Sequence, residues 1–224
     1  MEAIPAKRLL SPTSSDTSSD VAKLPKPNLE TIRSVTPAVW ETNNALWRLH
    51  NPRGEYPRAW NELRRFGPLR DARFDPWAGE ARDRLEGVGY FGFDIATCLA
   101  EVFQDRRRVD ALNSDLHVTS IEPTRPLLLL DLRADYPIKI GASHSLNGGS
   151  KNLCREWAQA LREVHPEVDG FAYIGVAGRN CAVLFDSALS SFPPAPRTTR
   201  AISDKGLASW LADAAQQIGY RFIG

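Results

Sequence analysis

The sequence predicts a mixed α+β domain, in which short strands and amphipathic helices follow one another along the chain. Five short apolar runs predict strands, at residues 45–50, 89–93, 126–132, 171–174 and 181–185. Three segments with apolar residues at helical spacing predict helices, at residues 95–103, 152–164 and about 205–218. With 224 residues, of which 42% are hydrophobic, the chain is long enough to bury one core of ordinary size.

The first 28 residues differ in composition from the rest and are expected to form a disordered leader. They carry Ser, Thr, Pro, Asp and Lys and few large apolar groups, as in the run SPTSSDTSSD. Such a segment cannot bury enough apolar surface to offset the entropy lost on ordering. Residues 29–224 are therefore expected to form a single domain. Within it, residues 51–86 are rich in Arg, Pro, Gly and Glu and are expected to be a long irregular loop.

Charge and cysteine content narrow the classes of function. Lys and Arg number 28 and Asp and Glu number 27, so no strong overall field draws the chain to nucleic acid or to a membrane. No apolar run is long enough to span a bilayer. Three widely spaced cysteines, without CxxC or Cys/His ligand spacing, predict neither a metal site nor a disulfide framework. A cytoplasmic protein that binds neither nucleic acid nor membrane directly is the simplest expectation.

Three polar side chains stand out by their positions. Glu101 lies beside the apolar stripe of the helix predicted after Asp94, where a carboxylate must be paired, reach water or line a cleft. Arg73 lies in the predicted loop, and is either a surface partner of a neighbouring aspartate or a guanidinium fork for phosphate or carboxylate. Tyr90 lies in a predicted strand, and is either a core aromatic or a hydroxyl at a cleft.

Seven short motifs between residues 45 and 187 occur in a distinctive order. They are Trp47-Arg48-Leu49, Arg73-Phe74-Asp75-Pro76, Gly89-Tyr90, Ala100-Glu101-Val102, the leucine-rich run 128–132, Trp157-Ala158, and a hairpin that begins at Asp169-Gly170-Phe171 and ends at Leu184-Phe185. In this order they resemble the RES domain, a family named for its Arg, Glu and Ser residues. The order of the motifs is more specific than any one of them.

The resemblance implies a fold related to that of ADP-ribosyltransferases, with short strands in a split sheet and flanking helices. Members of the family deplete NAD⁺ at the nicotinamide–ribose bond by hydrolysis or phosphorolysis, so NAD⁺ is a substrate and not a bound cofactor, and water or inorganic phosphate is the acceptor. Many members are toxins neutralised by an Xre-type antitoxin protein. The resemblance leaves a homodimer open.

The resemblance also implies roles for five residues. Glu101, Tyr90 and Arg73 are the predicted catalytic residues, and the predicted NAD⁺-binding positions are Arg48, Arg73, Tyr90 and Gly175. Glu101 would stabilise the ribosyl cation formed as the bond breaks. Arg73 would bind the pyrophosphate, and Tyr90 would frame the nicotinamide ring. Arg48 would bind the same anion or orient Glu101, unless it is a structural arginine beneath the site.

One position departs from the family pattern. The family's hairpin serine falls at Gly175, which has no hydroxyl group. Either the domain is degenerate and only binds a partner, or another group or water makes the missing hydrogen bond. A transferase that attaches ADP-ribose to a macromolecule is the remaining alternative.

Overall fold

The computed structural model describes residues 24–224, and within this range the chain alternates between strands and helices. The helices are α1 (Leu29–Ser34), α2 (Ile95–Val102), α3 (Tyr136–Lys139), α4 (Lys151–Val164) and α5 (Ala208–Gln217). The strands are β1 (Val39–Thr42), β2 (Leu46–His50), β3 (Arg64–Gly67), β4 (Arg82–Gly92), β5 (Arg108–Asp110), β6 (His117–Ile121), β7 (Leu127–Asp131), β8 (Gly170–Ile174), β9 (Asn180–Phe185), β10 (Thr198–Ala201) and β11 (Arg221–Ile223). The predicted α+β class is confirmed.

The main sheet has the order β1-β7-β8-β9-β4-β2-β6-β10, with β3 paired to β4 beside this path. Strands β7 and β8 are parallel, and the other neighbours in the path are antiparallel. Strands β4 and β2 pair only at Gly92 and Trp47, so the sheet consists of two halves that separate beyond that point. A small parallel pair, β5 with β11, lies apart from it.

Alternating side chains of the central strands fill a core on each face of the sheet. In β7, Leu127 and Leu129 pack on one face and Leu130 on the other, as the two-residue period of a strand requires. The second face is covered by α4, whose Trp157 is fully buried. A third cluster joins α2 and α5 through Leu99 and Leu211. Helix α2 also packs against β2, the strand that separates from β4. Glu101, near the end of α2, thus lies at the opening between the two halves of the sheet.

The predicted leader falls mostly outside the described residues. Its last residues belong to the packed domain, since Leu24 is buried and the Pro25 carbonyl accepts a hydrogen bond from Trp157 Nε1 at 2.7 Å. The packed chain therefore begins earlier than residue 29. The composition of residues 1–28 does not reveal this earlier start, because one buried leucine and one main-chain acceptor leave the segment as a whole polar.

The expectation of an irregular loop over residues 51–86 is wrong in part. Residues 64–67 form β3 and residues 82–86 begin β4, which together make a charged two-stranded extension of the sheet. The strand pattern escapes detection because one face of this extension carries arginines and not core residues. Arg64 and Arg84 lie over the ring of Trp77, and their guanidinium carbons are 5.5 and 5.7 Å from its centroid.

The predicted helices are confirmed with small shifts at their ends. Helix α2 begins after Asp94, whose Oδ1 accepts from Thr97 N at 2.7 Å and caps the helix as expected. Helix α4 starts one residue before the predicted segment, and the last segment is a 3-10 turn, Lys205–Leu207, followed by α5. Among the described residues, no helix combines the length and apolar character needed to cross a membrane.

Candidate active site

A cavity of about 400 Å³ opens where β4 and β2 separate. This volume is typical of small-molecule sites. All five residues singled out from the sequence line it, together with the end of β8 and the start of α4; the polar or charged members of the lining are Arg48, Arg64, Asp71, Arg73, Tyr90, Glu101, Gln104, Asn147, Lys151 and Tyr173. The fold thus brings together residues that are spread over 128 positions of the sequence, from Arg48 to Gly175.

The carboxylate end of the cavity consists of Glu101 on α2 and the turn between β8 and β9, residues 175–179. Glu101 Oε1 accepts a hydrogen bond from Val176 N at 2.6 Å, and Cys181 Sγ donates to the same oxygen at 3.6 Å. No described residue donates to Oε2. Of the alternatives that the sequence left open for Glu101, the structure shows a carboxylate that lines a cleft and is held by the main chain of the turn.

The same turn is anchored to the beginning of α2. Arg179 Nη2 donates to Asp94 Oδ2 at 2.7 Å, and Arg179 Nε donates to Thr97 Oγ1 at 3.0 Å. The carboxylate of Asp94 thereby caps α2 and also binds the turn through Arg179. Partial burial raises the pKa of Asp94, but the hydrogen bonds from Thr97 and Arg179 outweigh burial and lower this pKa. Helix and turn are joined at both ends, so the position of Glu101 relative to the turn is fixed.

Arg48 projects from β2 and is mainly held by main-chain carbonyls. Its Nη1 donates to Trp60 O at 3.1 Å and to Glu62 O at 2.9 Å, and its guanidinium carbon lies 5.2 Å from the centroid of the Phe91 ring. Burial lowers the pKa of Arg48 to about 10, so the side chain remains charged at neutral pH. Its buried Nε has no hydrogen-bond partner within the described chain.

The guanidinium end of the cavity consists of Arg73, in the loop 69–75, and the first residues of α4. Arg73 Nη1 donates to Gly149 O at 2.8 Å and to Cys154 Sγ at 3.6 Å. The loop is fastened to α4 by Arg155, whose Nη1 donates to Leu69 O at 3.1 Å and to Ala72 O at 3.1 Å. Arg73 forms no ion pair with a described carboxylate, so its charge faces the cavity without a neutralising acid.

The two aspartates near Arg73 have other partners. Asp71 pairs with Lys151 at 2.8 Å, and this lysine holds the pKa of Asp71 below its usual value. Asp75 has no exposed side-chain surface and pairs with Arg64 at 2.6 Å. Of the two alternatives for Arg73, surface pairing with a neighbouring aspartate is therefore absent from the described contacts.

Tyr90 presents its ring to the cavity while its hydroxyl is committed to the loop 69–75. The hydroxyl donates to Asp75 Oδ1 at 2.9 Å and accepts from Phe74 N at 3.1 Å. Burial and the nearby carboxylate raise the pKa of Tyr90 well above its ordinary value, so the phenol stays protonated. The structure therefore leaves the ring, and not the hydroxyl, free to meet a ligand.

Several lining residues carry no signal in the sequence. Lys151 is an ordinary first residue of a helix, and the Val176 amide is a main-chain group with no side-chain signature. Asn147 bridges two elements, since its Nδ2 donates to Leu132 O at 3.0 Å and its Oδ1 accepts from Ile174 N at 3.0 Å. Only the tertiary structure, which brings α4 and the end of β8 to the cavity, identifies these groups.

Comparisons with known proteins agree with the architecture. The family model described as the RES domain matches residues 45–205. Among solved structures, a chain of the M. tuberculosis MbcT–MbcA toxin–antitoxin complex is similar, with a TM-score of 0.50 and 16% sequence identity over 77% of this chain and 90% of that chain. No curated protein matches this sequence.

Proposed function

This chain belongs to the RES domain family, and on that premise we propose that it cleaves the nicotinamide–ribose bond of NAD⁺ as the toxin of a toxin–antitoxin pair. One observation carries the proposal: Glu101, Arg73, Tyr90 and Arg48 line a single cavity. A carboxylate with one free oxygen shares that cavity with guanidinium groups that no described acid neutralises.

This distribution of charge suits a dinucleotide with a pyrophosphate and a cationic pyridinium ring. Charge-assisted bonds from Arg73, aided by Lys151, would hold the phosphates at the guanidinium end. The ring of Tyr90 would frame the nicotinamide. Arg48 has a structural role, because it donates hydrogen bonds to the carbonyl groups of Trp60 and Glu62. It also adds positive charge to the cavity that it lines.

The bond that breaks joins C1′ of the ribose to the pyridinium nitrogen. Its electron pair leaves with nicotinamide, which departs as a neutral molecule, so strong proton donation to the leaving group is unnecessary. The ribose becomes an oxocarbenium-like cation, and Oε2 of Glu101 is the oxygen available to stabilise it. Water then adds to C1′ and releases a proton to give ADP-ribose, or phosphate adds to give ADP-ribose 1-phosphate.

The test is incubation of the purified chain with NAD⁺, with and without phosphate, followed by identification of the products. We expect free nicotinamide, and we expect Glu101→Gln to lower kcat by at least about 100-fold, because removing one electrostatic stabiliser of a transition state typically costs that much. Glu163→Gln is the matched control, since Glu163 is an exposed glutamate that pairs with Arg33.

Three results would contradict the proposal. Turnover by Glu101→Gln at the wild-type rate would remove Glu101 from the mechanism. A folded wild-type chain that neither consumes NAD⁺ nor binds nucleotide would be a degenerate partner-binding domain. Labelled ADP-ribose on protein or nucleic acid, in place of free product, would identify a transferase.

The proposed partner is an Xre-type antitoxin protein, as the family membership and the fold shared with a chain of a toxin–antitoxin complex suggest. We place the reaction in the cytoplasm, where three free cysteines stay reduced. Expression of the chain in bacteria should arrest growth and lower cellular NAD⁺, whereas expression of Glu101→Gln should not. Growth arrest by both variants alike would argue against NAD⁺ loss as the cause.

A further inference from the structure

The glycine at the position of the family's serine lies against the proposed catalytic carboxylate. A Cβ atom added to Gly175 would lie 2.2 Å from Glu101 Oε1 and 2.5 Å from Cys181 Sγ, closer than atoms can approach. The backbone of Gly175 is extended, with φ −93° and ψ −157°, a conformation open to any residue. In this placement of Glu101 and Cys181, space and not backbone freedom excludes a Cβ atom at position 175.

The space left by Gly175 is used by two groups. Glu101 Oε1 enters it to reach the Val176 amide at 2.6 Å, and the Cys181 thiol approaches the same oxygen from β9 at 3.6 Å. A serine at position 175 could not coexist with this placement of the carboxylate. The hydrogen bond expected from a serine is thus replaced by a main-chain amide and a thiol.

We propose that Gly175 and Cys181 are positioning residues for Glu101, which dock Oε1 on the turn and leave Oε2 directed to the substrate. The role given to Oε2 rests on the proposed function, whereas the docking of Oε1 stands on the contacts alone. A carboxylate held through one oxygen keeps a single orientation, as stabilisation of a cation at a fixed ribose requires.

The thiol is suited to donate because it stays protonated. Burial and the adjacent carboxylate of Glu101 raise the pKa of Cys181 far above its ordinary value, although a hydrogen bond from the Tyr173 hydroxyl opposes this shift. The other titratable group that faces it, Cys98, also raises the pKa of Cys181. Cys181 therefore keeps the proton that it donates to Glu101 Oε1, beside the hydrogen bond from Val176 N to the same oxygen.

The first test is Gly175→Ala, assayed for nicotinamide release. We expect kcat to fall by about 100-fold with little change in KM, because the added methyl displaces Glu101 from the turn, and a misplacement of about 1 Å can cost that much. Gly148→Ala is the matched control, since a Cβ atom at Gly148 meets nothing within 4 Å. Wild-type kcat in Gly175→Ala would overturn the proposal.

The second test separates the thiol's hydrogen bond from its bulk. Cys181→Ala should lower kcat by about tenfold, the value of one hydrogen bond to a charged group, and Cys181→Ser should restore most of it. Equal losses in both variants would show that Cys181 acts only by packing and would overturn its positioning role.

A readout independent of turnover is the Val176 amide proton in an NMR spectrum. In the wild type this proton should be shifted downfield by the carboxylate, and Glu101→Gln and Gly175→Ala should move it upfield together. If the wild type consumes no NAD⁺ but the amide behaves in this way, the proposed function fails while the docking stands. An amide unaffected by both variants would overturn the docking even in an active enzyme.

Discussion

At the carboxylate end of the cavity Glu101 is held by the main chain of a neighbouring turn, whereas at the guanidinium end Arg73 sits in a loop held by side chains of α4. At the first end, the Val176 amide and the Arg179–Asp94 pair connect the turn to α2, a helix whose residues 95–100 are all buried. The second depends on Arg155 and on the pair between Lys151 and the exposed Asp71.

This difference matches what each end is proposed to do. Stabilising a charge that appears on one carbon atom demands an orientation fixed within fractions of an ångström. Binding a pyrophosphate requires charge and several donors, and tolerates a loop that adjusts to the ligand. We therefore expect changes at the carboxylate end to lower kcat and changes at the guanidinium end to raise KM.

Replacement of Arg73 is the most direct test of whether the two ends of the cavity affect different kinetic parameters. Arg73→Gln should raise KM for NAD⁺ by at least about tenfold and leave kcat within a few-fold, because a charge-assisted bond to phosphate is worth about 1.5–3 kcal/mol. Arg73→Lys should be intermediate, since an ammonium keeps the charge but not the fork. Steady-state kinetics measure both.

Arg197→Gln is the matched control, because Arg197 is an exposed arginine that pairs with Glu122 and does not line the cavity. A loss of kcat in Arg73→Gln as large as that in Glu101→Gln would show that the two ends are not functionally separate.

The hydroxyl of Tyr90 holds the loop at the guanidinium end, and Tyr90→Phe tests how much of the contribution of Tyr90 is structural. Removal of the hydroxyl leaves Phe74 N without its acceptor and Asp75 without one donor, so the free energy of unfolding should fall by about 1–3 kcal/mol. The ring remains, and KM should rise by no more than about threefold, since the loop carrying Arg73 is loosened but its charge is kept. Denaturant unfolding and steady-state kinetics give the two values.

Tyr136→Phe is the control for this variant, because Tyr136 is buried and its hydroxyl bonds to His165 Nε2 at 2.9 Å, outside the cavity. A loss of kcat in Tyr90→Phe without loss of stability would assign the hydroxyl to the reaction itself.

The smallest expected effect is a gain in affinity. Asp71→Asn frees the ammonium of Lys151 for phosphate, and KM should fall by about two- to threefold, in proportion to the small energy of an exposed ion pair. The gain should disappear in about 1 M salt, where the Debye length is about 3 Å. Asp135→Asn, which breaks an exposed pair with Lys139 away from the cavity, should leave KM unchanged. A higher KM in Asp71→Asn would show that this pair supports the loop and does not compete with the ligand.

Local patterns in the sequence determined much of this molecule. The apolar spacing of residues 95–103 and the Asp94 cap predicted α2, and the continuous leucines of 126–132 predicted the buried strand β7. The order of the motifs pointed to the RES domain and selected five residues that the fold gathers at one cavity. These features are readable because periodicity and capping act over a few residues, and because a family motif fixes residue types in order.

Tertiary structure alone decided the partners of those residues. Glu101 is docked on the amide of Val176, 75 positions away, and a main-chain donor has no side-chain signature. Asp71 and Asp75 pair with Lys151 and Arg64 and not with the adjacent Arg73, because loop and helix geometry decides which charges meet, whatever their distance along the chain. The sequence shows only that Gly175 lacks a hydroxyl, whereas the structure shows that Glu101 and Cys181 occupy the space that a Cβ atom at this position would fill.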